Sequence, residues 1–202
     1  EVYRNEKGVA AGIKKAISNN IVKRSDLFIT TKVFPGNERW GQNQKTYQDV
    51  LEAFNKSLER LELTYVDLYL IHSAHADQTR VEQWKALIEL KQEEHIKFAG
   101  VANWNIKHLQ ELKENNLLMP DTNQIELHPW TQQPELVSYL KENKIHIIAY
   151  SSLVPLSTWR SKEGENSLKT SKMDTEGSSD DSLFKSLANK YNVKESQVLL
   201  QW

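Results

Sequence analysis

A lysine, a histidine, two carboxamides and a tyrosine stand at the ends of short apolar runs in this chain: Lys32, His72, Asn103, Gln124 and Tyr150. Lysine at the end of an apolar strand is unusual, because a buried ammonium needs a partner or loses its charge. Lys32 is therefore either paired with a carboxylate or tuned for catalysis. His72 taken alone is more often a satisfied structural residue. Asn103 and Gln124 both donate and accept, and either alone could cap a loop. Tyr150 could simply close the end of a barrel with its ring. Packing explains the five together far less well than it explains any one of them.

The runs themselves read Leu27-Phe-Ile-Thr-Thr-Lys32, Val66-Asp-Leu-Tyr-Leu-Ile-His72, Phe98-Ala-Gly-Val-Ala-Asn103, Thr122-Asn-Gln124 continuing to Leu127, and Ile145-His-Ile-Ile-Ala-Tyr150. Gaps of 40, 31, 21 and 26 residues separate their polar ends. Each gap holds a crossover helix, so neighbouring runs should be parallel strands whose C-terminal ends rise on one side of the sheet. Five scattered residues then gather at one mouth, and an enzyme site is the leading reading. Apolar residues at helical spacing predict helices over 7–19, 46–62, 80–93, 105–116, 134–143, 181–191 and 195–202. Strands alternating with helices specify an α/β fold, and near-continuous apolar strands fit a sheet covered on both faces. No Gly-x-Gly-x-x-Gly turn and no Gly-x-x-x-x-Gly-Lys-Ser/Thr loop occurs, so a (β/α)8 TIM barrel fits better than a doubly wound sheet. About five of its eight strands are countable. The chain reads as one partial barrel domain, 1–202, with 153–180 as a long loop, either over the active face or a solvated insertion with no role.

Formal net charge is -1, with 26 basic and 27 acidic side chains. That balance argues against nucleic acid or an anionic membrane as the main partner. No apolar stretch approaches the roughly 18 residues of a membrane span, and there is no cysteine; a cytoplasmic setting is the expectation. His75 lies three residues after His72, but with no cysteine and no third ligand at a supporting spacing, no metal is expected. Glu1 rather than Met opens the chain, and Trp202 falls inside an amphipathic helix, so both ends are expected to be cut.

The series resembles the aldo-keto reductase family over essentially the whole chain. Tyr3-Arg-Asn5-Glu6 looks like its Tyr-x-Asn-Glu segment, and Thr31-Lys32-Val33-Phe34 like its lysine-bearing strand end. Tyr65-Val-Asp-Leu-Tyr-Leu-Ile-His72 is similar to its histidine signature. Phe98-Ala-Gly-Val-Ala-Asn103-Trp104, Asn123-Gln124-Ile-Glu126-Leu-His128-Pro129 and Ala149-Tyr150-Ser151 follow in the family's order. The resemblance implies a nicotinamide cofactor, NADPH by family habit with NADH possible, that reduces aldehydes or ketones to alcohols. It implies Tyr3 as general acid, Lys32 as the cation that eases the phenol toward ionisation, and His72 beside the carbonyl oxygen. Asn103 and Gln124 would hold the nicotinamide carboxamide, Tyr150 would stack on the ring, and Ser151 and Leu153 would line the pyrophosphate path. Phe34, Trp104 and, less surely, Trp40 would wall a pocket for a small carbonyl substrate.

The sequence departs from the family pattern in places. The aspartate that pairs with the lysine, five residues before the tyrosine, would precede Glu1, and the basic segment that grips the adenosine end would follow Trp202. Ala102 replaces a serine, Ser-Ser-Leu-Val154 replaces Ser-Pro-Leu-Gly, and Ser73 stands where many relatives carry a bulky aromatic. The alternatives to a carbonyl reductase are a nicotinamide-binding regulatory or sensor module of the same fold, or an inactive truncated relative.

Overall fold

The computed structural model describes residues 1–156 and 182–202. The elements are α1 (Glu6–Ser18), β1 (Thr30–Val33), α2 (Tyr47–Leu61), β2 (Val66–Ile71), α3 (Arg80–Gln92) and β3 (Ile96–Ala102), then α4 (Ile106–Glu114), β4 (Thr122–Glu126), α5 (Pro134–Glu142) and β5 (His146–Tyr150), and finally α6 (Leu183–Tyr191) and α7 (Glu195–Gln201). The strands lie in sequence order, β1-β2-β3-β4-β5, and the β1/β2, β2/β3 and β3/β4 pairs are parallel. Each step along the sheet thus passes through a helix, as the strand spacing predicts. Of the expected loop over 153–180, only its opening is described, where Val154–Leu156 make one 3-10 turn; the rest lies outside the described residues. Among the described residues, no helix is long and apolar enough to cross a membrane.

The chain groups into two compact units: Glu1–Gln124 with Tyr139–Ile147, and Ile125–Ser138 with Ile148–Trp202. In the first, register decides which side chains share a face. Lys32 pairs with Leu70, Leu70 with Gly100, and Gly100 with Thr122, so these four form one row across the sheet. Side chains alternate along a strand, so Phe34, His72, Ala102 and Gln124 rise on the same face as that row. A Cβ on Gly100 would come within 2.6 Å of both Leu70 Cδ2 and Thr122 Cγ2. Only a glycine lets those two neighbours close over it.

β2 is buried along its whole length, with Tyr69 edge-on to Phe54 of α2 at 4.9 Å between centroids. Its one carboxylate, Asp67, is buried and heavily partnered. It accepts from Arg24 Nη2 at 2.8 Å and from the Ile29 amide at 2.9 Å, and pairs with Lys97 Nζ at 2.7 Å. This explains a difference from the sequence reading: β1 begins at Thr30 rather than Leu27, because the Ile29 amide is spent on a side chain instead of a ladder. In the second unit, Leu127 donates to the Tyr150 carbonyl at 3.3 Å, and Trp130 meets Phe184 of α6 edge-on at 5.8 Å. Glu126 and His128 bond each other at 3.1 Å, and the Trp130 amide donates to His128 Nδ1.

Candidate active site

Tyr3 sits on the turn before α1, 64% exposed, and its Oη lies 3.2 Å from His72 Nε2. Lys32 approaches the same phenol, with Nζ 5.4 Å from the ring centroid. What holds the Tyr3 turn is Glu6, three residues on and buried. Its carboxylate accepts from Thr31 Oγ1 of β1 at 2.8 Å and from Arg60 Nε of α2 at 2.6 Å. Burial pulls the Glu6 carboxyl upward, but the bonds from Arg60, Thr31 and Ser57 prevail and hold it below its ordinary range. A charged carboxylate therefore pins α1 between strand and helix, and Tyr3 with it. Sequence reading quoted Glu6 but gave it no role; a buried acid in a first helical turn was the available signal.

The electrostatics sort the three groups. Burial first, then the Lys32 charge, push the His72 imidazole down to about 4. His72 is thus neutral at pH 7. Its Nδ1 is buried and has no partner among the described residues. A proton placed there would be an orphan donor, so the tautomer protonated on Nε2 is the one this pocket favours. Lys32 is lowered by burial, and among the described residues no carboxylate pairs with its ammonium. Its charge is therefore available to the phenol beside it.

Two amides border this cluster. Asn103 takes φ 61° immediately after β3, and its Nδ2 donates to the His72 carbonyl at 3.1 Å while its own amide donates to the Gln124 carbonyl at 2.9 Å. That left-handed turn suits asparagine better than most residues. It is braced from behind: buried Asn123 donates to the Trp104 carbonyl at 2.8 Å, and Asn105 caps α4 reciprocally with His108. Gln124 is half-buried on the face that carries Lys32 and His72. A tyrosine hydroxyl against a neutral histidine and near a lysine ammonium, with two carboxamides on the bordering strand ends, offers hydrogen bonds and a positive charge to a polar ligand.

A family model described as Aldo/keto reductase family matches residues 1–202. The chain belongs to the aldo/keto reductase family. It is 36% identical over 201 residues to a glyoxal reductase of Bacillus subtilis (strain 168), covering 100% of this chain and 61% of that protein. It is also 36% identical over 202 residues to the methylglyoxal reductase DkgA of Yersinia pestis, covering 100% of the chain and 62% of the relative. Among solved structures, the Bombyx mori aldo-keto reductase AKR2E4 in complex with NADP matches with TM-score 0.81 and 31% identity over 98% of this chain and 62% of that one. The chain spans about three fifths of the length of the curated relatives it matches. The five-stranded βα series is part of this family's (β/α)8 barrel.

The structure brings seven of the expected site residues into one unit: Tyr3, Lys32, Phe34, His72, Asn103, Trp104 and Gln124. Tyr150, Ser151 and Leu153 belong to the other unit. There Tyr150 ends β5, Ser151 takes φ 60°, its carbonyl accepts from the Val154 amide at 2.9 Å, and Leu153 is exposed. Phe34 is half-buried and stacks on Trp40. Trp104 is 1% exposed, with His108 edge-on at 6.0 Å and the Arg80 guanidinium 5.8 Å from its ring. Trp40, for which packing was the favoured reading, is 66% exposed. Among the described residues no three His, Cys, Asp or Glu side chains converge to hold a metal ion.

The depressed imidazole makes a prediction. His72 has a folded value of about 4 against an ordinary 6.5, so folding favours its neutral form. The associated stability is whole above the ordinary value and is lost as pH falls through the folded one. Thermal melting followed between pH 7 and 4 should show the wild-type Tm falling more steeply than that of His72→Gln. Parallel curves would mean that His72 carries no such linkage. His108, also lowered to about 4 by burial and then Arg80, adds to the slope in both proteins and so cancels in the comparison.

Proposed function

We propose that this chain carries the catalytic half of an NADPH-dependent carbonyl reductase, with Tyr3 as the general acid. The observation that carries the reading is the 3.2 Å contact between the Tyr3 hydroxyl and a histidine that its surroundings keep neutral. A neutral imidazole has a donor to offer an oxygen but no easily released proton, whereas the phenol has one. His72 Nε2–H and Tyr3 Oη–H then converge on a carbonyl oxygen, orienting it and stabilising the negative charge that develops there. As charge builds, the Tyr3 proton passes to the alkoxide, and Lys32 stabilises the phenolate left behind. A reduced nicotinamide, when bound, supplies the hydride. The carboxamides of Asn103 and Gln124 have the donors and acceptors to hold its amide, which fits the residues present to that group. Within the second unit, the family pattern assigns the nicotinamide ring to Tyr150 and the pyrophosphate to Ser151 and Leu153. NADPH is preferred to NADH here because the solved relative quoted above was complexed with NADP. Small dicarbonyls are the first substrates to try, since the relatives are named for glyoxal and methylglyoxal.

The purified protein at full length should oxidise NADPH only when glyoxal, methylglyoxal or another aldehyde is present, with the corresponding alcohol as product. Saturable NADPH binding with no turnover on any carbonyl would replace this reading with that of a nicotinamide-binding module.

A further inference from the structure

Tyr3 is placed by its backbone rather than by packing. Its side chain is largely exposed, and the next residue, Arg4, takes φ 52°, a left-handed conformation that strains a residue with a side chain. The helix that follows starts without the usual cap, since Asn5 makes no side-chain bond to the first turn of α1. A strained turn ahead of an uncapped helix needs another anchor, and the buried Glu6 carboxylate is the group placed to provide it.

Glu6 reaches β1 from behind. Thr31 and Lys32 are neighbours on that strand, so their side chains leave it on opposite faces. Thr31 Oγ1 donates to Glu6 Oε1 at 2.8 Å on one face, while Lys32 Nζ comes to 5.4 Å from the Tyr3 ring on the other. One bond thus joins the residue three past the phenol to the residue one before the cation. Glu6 Oε2 accepts from Arg60 Nε at 2.6 Å, and Arg60 Nη2 donates to Ser57 Oγ at 3.1 Å, which ties the same carboxylate to α2. The Glu1 amino group also lies 3.6 Å from Glu6 Oε1. Tyr69 of β2 stays un-ionised, through its complete burial first and then the Glu1 and Glu6 charges. Around the Tyr3 hydroxyl itself stand His72 and Lys32.

We propose that Glu6 and Thr31 are positioning residues for the reaction: their bond is a strap that sets the spacing of the Tyr3 phenol from the Lys32 ammonium and from His72. Both act through other residues. With the strap in place, the cation sits where it favours the phenolate as the proton leaves. Without it, the start of α1 slides on β1, the turn at Arg4 relaxes, and the phenol draws away from both partners. The assignment rests on the carbonyl-reductase reading above.

The test is Thr31→Val, which keeps the shape of the side chain and removes its donor, beside Thr31→Ser, which keeps the donor. In the full-length protein, the single-turnover rate of methylglyoxal reduction at saturating NADPH should fall about tenfold or more in Thr31→Val, with NADPH affinity unchanged. Thr31→Ser should recover most of it. The alkaline fall of that rate, where the acid has lost its proton, should also move upward by about one pH unit in Thr31→Val, because the cation no longer favours the phenolate. A slower rate with an unmoved pH profile would make the bond merely structural and overturn the proposal, as would an undiminished rate. Should Thr31→Val fail to fold, Glu6→Asp keeps the charge, shortens the arm by one carbon and is read against the same two outcomes. If no carbonyl is reduced at all, the functional reading fails, and the strap is read by NMR. The Tyr3 and His72 rings, with centroids 5.4 Å apart, should show an Overhauser contact that weakens in Thr31→Val, and equal signals in the two proteins overturn the strap.

Discussion

Tyr3→Phe is expected to lower carbonyl-dependent NADPH oxidation by about 10²–10⁴-fold while leaving cofactor affinity unchanged. The substitution removes one oxygen and nothing else. The ring stays beside Lys32, and Glu6 still fixes the turn through Thr31 and Arg60. Tyr3 is largely exposed, so stability should change by no more than about 0.5 kcal/mol. His72 cannot take over as acid, because burial and Lys32 keep it unprotonated until pH falls to about 4. The variant therefore has a carbonyl orienter but no proton to give. Single-turnover kinetics with saturating NADPH would separate the chemical step from binding and product release. If the chemical step in Tyr3→Phe ran at the wild-type rate, the acid would have to be sought elsewhere.

Much of this arrangement was legible in the sequence because it depends on period and punctuation. Among the described residues, all seven α-helices and five strands come from apolar spacing, and register then carries Lys32, His72 and Gln124 to one face without further information. Side-chain competition was harder to read. Nothing local says that the Ile29 amide will prefer the Asp67 carboxylate to a strand ladder, which is why β1 begins late. The burial of Trp104 was not legible, because the residue after a strand-end asparagine can turn either way. The φ 61° turn at Asn103 and the bond from Asn123 to the Trp104 carbonyl send the ring inward. The exposure of Trp40 was hidden for the opposite reason. Its exposure is maintained by Gly36, Gln44 and Gln83, one of them more than forty residues away in sequence.

Asp67→Ala should destabilise the fold by about 3 kcal/mol, the low end of what losing one partner of a buried ion pair costs. Asp67 lies near the N-terminal ends of the strands and joins three of them. It accepts the Ile29 amide ahead of β1, belongs to β2 itself, and pairs with Lys97 near the start of β3, while Arg24 reaches it from the preceding turn. Alanine leaves the Ile29 amide without that acceptor and two cations without their counter-charge. The low end applies because neither cation is stranded. Lys97 is half-exposed and can rehydrate, and Arg24 keeps the Leu27 and Tyr65 carbonyls at 2.9 and 3.1 Å. Asp67→Asn should cost less, since an amide oxygen can still accept from Ile29. Burial alone would raise the Asp67 carboxyl, but Lys97, Ile29 and Arg24 hold it below its ordinary range. Its stabilisation is thus present above the ordinary carboxylate range and is lost as pH falls through the lowered folded value. Urea titrations at neutral pH and near pH 3 would show both effects: a large gap between wild type and Asp67→Ala at neutrality, narrowing in acid. A gap of the same size at both pH values would assign the loss to packing rather than to charge. Reactivity should be untouched in the fraction that folds, because the strand ends that carry Lys32 and His72 are at the other end of the sheet. In this sheet the N-terminal edge holds the strands together, and the C-terminal edge is left free to hold a lysine with no carboxylate partner among the described residues.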